Sequence, residues 1–126
     1  MRLLIADSDP TMSELYESYF SANDCLVTTV GNGVQCMDAI RRQMPDVIVL
    51  EHKLPWGGDD GVLECLQQEY PLACPEIVLL TKEKHNEDAS ERILPTAKAL
   101  LRKPFLMRDL SKLIHRVCVP HATAAR

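Results

Sequence analysis

Four polar groupings, each just behind a short apolar run, carry the residue types that do chemistry on ions. Asp7-Ser8-Asp9 follows Leu3-Leu4-Ile5-Ala6, and Glu51 follows Val47-Ile48-Val49-Leu50. Thr81-Lys82 follows Ile77-Val78-Leu79-Leu80, and Lys103-Pro104 comes after Ala99-Leu100-Leu101. Carboxylates, a hydroxyl and an ammonium would converge on one edge if these runs are neighbouring strands. Neither G-x-x-x-x-G-K-[ST] nor G-x-G-x-x-G occurs, so a nucleotide-cradling loop is not supported. His52, His85, His115 and His121 show no H-x-x-x-H spacing to one another, which argues against zinc. The cysteines (Cys25, Cys36, Cys65, Cys74, Cys118) are odd in number and widely spaced, without C-x-x-C. They read as small buried hydrophobes in a reducing cytosol.

The elements that must position these groups follow from the apolar pattern. At 126 residues, 46% hydrophobic and 25% charged, the chain has one domain's worth of core and is neither disordered nor coiled-coil. Fourteen Lys+Arg against 18 Asp+Glu give −4, which argues against a domain built to hold nucleic acid. No apolar run approaches the ~20 residues of a membrane span. The N-terminus meets Asp7 too soon to be a signal peptide, so a cytoplasmic protein is expected.

Short apolar runs alternate five times with segments of helical period. Met12, Leu15, Tyr16, Tyr19 and Phe20 share one helix face, opened by Pro10 and Thr11, with Thr11 a candidate N-cap or Pro10 in the first turn. A run from Cys25 to Val30 precedes Gly31-Asn32-Gly33 and a second helix ending at Met44-Pro45. Val47–Leu50 and Ile77–Leu80 read as strands buried on both faces. A turn-rich segment from Leu54 to Gly61 leads to a helix with Val62, Leu63 and Leu66. A polar helix is expected from about Asn86 to Leu94, and a last one carries Leu106, Leu110, Leu113, Ile114 and Val117 before Pro120 stops it. The alternation predicts an α/β fold, a doubly wound five-stranded parallel sheet with five helices, and sites at the strands' carboxyl ends.

Taken together, these residues resemble the receiver domain of bacterial two-component response regulators. Arg2 to Pro10 resembles its opening strand and acidic pair. Pro45 to Pro55 resembles the segment with the phosphorylated aspartate, which has a proline four residues on. Thr81 matches the hydroxyl position, and Leu101-Arg102-Lys103-Pro104-Phe105 matches the Lys-Pro-Phe segment, with a cis peptide before Pro104. The likeness runs from Arg2 to about Val117. It implies the flavodoxin-like strand order 2-1-3-4-5, a receiver domain over residues 1–119, and a tail or linker start over 120–126. It also implies phosphoryl transfer from a kinase histidine to a strand-end aspartate, with a divalent ion between acidic side chains and phosphoryl oxygens.

Against that pattern, Glu51 stands where the aspartate is expected, one methylene longer, and Ser8 stands where the second acidic residue is expected. Asp7 keeps the first acidic position, and Asp9 lies one residue beyond the pair. Lys82 replaces a small residue beside the hydroxyl and would occlude the site. Leu100 replaces the aromatic switch residue, Thr96 takes a common glycine position, and two extra residues lengthen the loop between Pro55 and Gly61. The expectation is a pseudo-receiver: not an enzyme, without a cofactor, and with magnesium weak or absent at Asp7 and Glu51. It would use Glu51 in place of a phosphorylated side chain, reaching toward Lys103 and Thr81 with Lys82 as a second cation. The partners implied are proteins: a histidine kinase, an output domain or another regulator. A homodimer would use the face of the fourth helix, fifth strand and fifth helix, near Glu87, Glu91, Leu100, Met107 and Arg108. Direct contact with nucleic acid or membrane is not expected. The alternatives are an ordinary phospho-accepting receiver with a weakened metal site and a small-molecule-binding module on the same topology.

Overall fold

A computed structural model of the chain describes residues 1–82, 97 and 99–124. Its elements run β1 (Arg2–Ala6), α1 (Pro10–Ser21), β2 (Leu26–Val30), α2 (Gly33–Arg42), β3 (Val47–Glu51), α3 (Gly58–Glu69), β4 (Glu76–Thr81), β5 (Ala99–Arg102) and α4 (Met107–Ala124). All pairings are parallel, in the order β2-β1-β3-β4-β5. Four helices are described; the one expected from Asn86 to Leu94 falls outside the described residues.

Every residue of β3 and β4 is buried, as strands covered on both faces require. Alternation divides their side chains between two cores. Leu4, Ala6, Ile48, Leu50, Ile77 and Leu79 pack against α2 and α3 through Ile40, Val62 and Leu66. Leu3, Ile5, Val47, Val49, Val78 and Leu80 pack against α1 and α4 through Tyr16, Phe20, Leu110 and Ile114. Register then sets the functional edge. Ala6 lies beside Leu50, so Asp7 follows level with Glu51, while Glu51 pairs with Leu80 and Thr81 with Arg102.

Several element ends differ from the sequence expectation. Asp9, not Thr11, caps α1: its Oδ1 accepts the Thr11 N–H at 3.0 Å, and Pro10 takes the first turn, where no N–H donor is needed. Helix α2 ends at Arg42, short of Met44-Pro45. Helix α4 continues through Pro120 to Ala124: proline's fixed φ lies in the helical range, although its ring costs one hydrogen bond and crowds the carbonyl four residues back. Cys25 and Cys36 are buried as expected, but Cys74 is exposed and Cys65 and Cys118 are half-buried.

Candidate functional site

The site is built from the ends of β1, β3 and β5. Asp7 continues the inward parity of Leu3 and Ile5, so its side chain enters the core beneath α1 and is 1% exposed. One oxygen, Oδ2, accepts the Lys103 ammonium at 2.8 Å and the Tyr16 hydroxyl at 2.7 Å. The other, Oδ1, accepts the Asp9 N–H at 3.0 Å. Burial opposes ionisation of Asp7, but Lys103, the Asp9 amide and the Tyr16 hydroxyl together hold its carboxyl below the usual range. Burial first, and then Asp7, push the Tyr16 hydroxyl far up, so Tyr16 remains a donor.

Glu51 is 5% exposed and turns toward the β1 edge. Its Oε2 accepts the Ser8 N–H at 2.7 Å, its Oε1 accepts the Ser8 hydroxyl at 3.3 Å, and Lys103 Nζ lies 3.6 Å from Oε1. Lys103 thus bridges two buried carboxylates. Among the described residues it is the cation that reaches Glu51. A backbone bond from Lys103 N–H to the Thr81 carbonyl, 2.7 Å, ties the ends of β4 and β5, and the Lys103–Pro104 peptide is cis.

A family model for the response regulator receiver domain matches residues 3–115. The chain belongs to that family. Among curated relatives, the receiver is 31% identical over 108 residues to a probable transcriptional regulatory protein, TcrX, of Mycobacterium tuberculosis, spanning 86% of this chain and 45% of that protein. It is 28% identical to the DNA-binding response regulator MtrA of Mycolicibacterium smegmatis, over 86% of this chain and 46% of that one. The receiver therefore spans about half the length of the curated relatives it matches. Its fold matches the Vibrio cholerae chemotaxis protein CheY4 with TM-score 0.82 at 21% identity, covering 92% of this chain and 97% of that one. The BeF3-activated receiver domain of Klebsiella pneumoniae RstA matches with TM-score 0.79 at 20% identity, over 91% and 96%.

Asp7, Ser8, Glu51 and Lys103 come together at one point of the receiver, and the buried Thr81 ends the strand between them. The remaining sequence candidates lie otherwise. Asp9 sends its carboxylate to the α1 cap instead of the acidic pocket. Lys82 is exposed and lines a cleft of about 370 Å³ with Asp9, Met12, Lys103, Pro104 and Phe105; it does not cover Glu51 with a second cation. Leu100 is partly exposed on β5, at the sheet edge.

Two functional neighbours escaped the sequence reading. Tyr16 read as an apolar face residue, and only the alternation in β1 would have aimed Asp7 at its hydroxyl. Asp59 is buried, and its carboxylate accepts the Lys53 N–H at 3.1 Å and pairs with His52 Nδ1 at 2.9 Å. No spacing rule marks that pair, because it depends on a loop with Lys53 and Trp56 in the left-handed region. Among the described residues no helix is long and apolar enough to cross a membrane.

Proposed function

We propose that this receiver domain signals without phosphorylation, as a cytoplasmic protein-interaction module and not a catalyst. The observation that carries the reading is the Glu51 carboxylate, already held by the Ser8 amide and hydroxyl with Lys103 alongside. Two departures from the family pattern become one interaction. A second carboxylate at position 8 would repel Glu51, whereas serine donates to it. An aspartate at position 51 would be one methylene too short for the same reach, and Glu51 spans it.

Phosphoryl transfer in the family pattern asks for a divalent cation, and the donor set here does not suit one. A hard cation takes oxygen ligands with lone pairs to spare. About three of the four lone-pair positions of Asp7 are engaged by Lys103, Tyr16 and Asp9, and both oxygens of Glu51 accept from Ser8. Among the described residues no three His, Cys, Asp or Glu side chains form a group that could hold a metal ion. The positive charge beside these carboxylates is the Lys103 ammonium, and the Tyr16 and Ser8 hydroxyls donate to them. A buried carboxylate pair bridged by one lysine is favourable only when its oxygens find further donors, and among the described residues no buried side-chain oxygen or nitrogen lacks a hydrogen-bond partner.

The resulting state is fixed by sequence, so signalling depends on a partner that binds it in preference to any other. Partners in this reading are a kinase, an output domain or another regulator, met through surfaces that include Leu100, Met107 and Arg108. The test is Glu51→Gln, which keeps size and removes charge. The Ser8 N–H loses a charge-assisted acceptor, so its hydrogen exchange accelerates by about tenfold while β4 amides are unchanged. Unaltered exchange at Ser8 would show that Glu51 holds nothing in place.

A further inference from the structure

We propose that the foot of the sheet, where β1, β3 and β4 begin, holds a site for one soft monovalent cation, copper(I), bound by the sulfurs of Cys118, Met1 and Cys74. The site does not depend on how Glu51 behaves. It lies at the amino ends of strands whose carboxyl ends lead to Asp7 and Glu51, and five residues of strand separate the two edges by about 16 Å.

The topology gathers these sulfurs from distant parts of the chain. Met1 has the parity of Leu3 and Ile5, which face α1 and α4, and its carbonyl accepts the Leu26 N–H at 2.9 Å. Cys118 follows Ile114 by four residues, so it continues the stripe of α4 that packs on the same core. The two meet there, with Cys118 Sγ 3.9 Å from Met1 Sδ. Cys74 stands between α3 and β4, and Met44 between α2 and β3. Both line, with Met1 and Cys118, one cavity of about 680 Å³ that Asp46 and Glu76 also border. Four of its ten lining residues carry sulfur, against ten of 126 in the chain, so composition alone does not account for the gathering.

A sulfur–sulfur contact of 3.9 Å is by itself ordinary packing. It is also the separation a trigonal metal asks for, since metal–sulfur bonds of about 2.3 Å place two sulfurs about 4 Å apart. Thiolate and thioether donors select copper(I), whereas magnesium and calcium take oxygen. Among the described residues no three His, Cys, Asp or Glu side chains form a metal-holding group, so a thioether has to complete the set. Zinc does not take thioether sulfur as a ligand in its usual sites.

The carboxylates supply charge and not ligation. Asp46 Oδ2 accepts the Arg2 N–H at 2.8 Å. Burial, then Asp46 and Glu76, push the Cys118 thiol up; burial, then Glu76, does the same to Cys74. Glu76 acts on both thiols, which sets them in one neighbourhood. Each therefore keeps its proton until a cation replaces it. The S–H bond breaks as the copper–sulfur bond forms, the proton passes to water, and copper stays in the +1 state. Carboxylates that oppose a bare thiolate favour the cation that takes the proton's place. Cys74 is exposed, which gives the ion a way in.

The whole chain, reduced and free of oxygen, is titrated with copper(I) held by bicinchoninate, and loss of the coloured chelate is followed. One equivalent should transfer, and native mass spectrometry should show a single copper. Absorption at the copper edge should report sulfur neighbours at about 2.3 Å, without nitrogen or oxygen. Cys74→Ser changes an exposed loop residue, so the urea midpoint should hold while copper affinity falls by about tenfold or more. Cys118→Ser should lower affinity by about a hundredfold; should it fail to fold, Cys74→Ser carries the test. Cys65→Ser, which alters a sulfur packed against the α2–α3 core, should bind as the wild type does. The proposal is overturned if the wild type leaves copper with the chelator, or if a folded Cys74→Ser or Cys118→Ser binds unchanged. It is equally overturned if Cys65→Ser loses as much as they do, if several coppers bind, or if the copper shell holds nitrogen or oxygen. None of these results bears on whether Glu51 accepts phosphate, so the two readings fail separately.

Discussion

At the scale of single residues, the charge balance at the end of β1 decides how the site behaves. Asp7 is buried and takes three donors, so its carboxyl ionises more readily in the folded chain than in the unfolded one. Both states are ionised well above the ordinary value of 3.8, where the full stabilisation is present. As pH falls below that value the unfolded chain takes up the proton first. Stability then declines until pH has dropped through the folded-state value. The urea midpoint should fall along that acid limb, and Asp7→Asn should flatten it. Tyr16→Phe deletes one donor and leaves the ring in place; a loss of about 1–2 kcal/mol in urea unfolding is expected. Ser8→Asp sets a carboxylate against Glu51 and should destabilise the fold by about 1–3 kcal/mol at neutral pH, with recovery when Glu51→Gln is added. Of this network the sequence showed Asp7, Ser8, Glu51 and Lys103, because each stands immediately behind a strand. Tyr16 was invisible as a donor, since an aromatic ring on an apolar helix face reads as packing whether or not its hydroxyl has a partner.

At the scale of elements, the strands were more legible than the helix ends. Val47–Leu50 and Ile77–Leu80 are apolar without interruption because both faces are covered, and four residues make barely one helical turn. Helix ends depend on which of several adjacent residues wins the cap. Asp9, Pro10 and Thr11 stand in succession, and all three suit the start of α1. The β3–α3 loop was legible only as turn-rich, for its shape comes from left-handed backbone at Lys53 and Trp56 and from the Asp59 carboxylate. Its contact with α2 makes a prediction. Gly33→Ala places a Cβ 2.3 Å from the Trp56 carbonyl oxygen, so the loop or the helix must move. A loss of about 1–3 kcal/mol, with altered Trp56 emission, is expected, while Val34→Ala next to it stays within about 0.5 kcal/mol.

At the scale of the whole molecule, the fold is the family's and the proposed reading concerns only its edge residues. Five parallel strands bring the ends of β1, β3 and β5 together, as the alternation of apolar runs required. The scaffold is therefore that of a receiver. Under the proposed reading, Glu51 stands in constantly for a phosphorylated side chain, with the Lys103 ammonium 3.6 Å away. This is a whole-molecule claim, because a constant state has meaning only if a partner discriminates it. It also has a direct test at the level of the intact chain. The wild type and the paired variant Ser8→Asp/Glu51→Asp are incubated with a small phosphodonor and magnesium, then weighed by mass spectrometry. The account predicts that the wild type stays unmodified and that the paired variant gains some phosphate. A stoichiometric, base-labile phosphate on the wild type would contradict it.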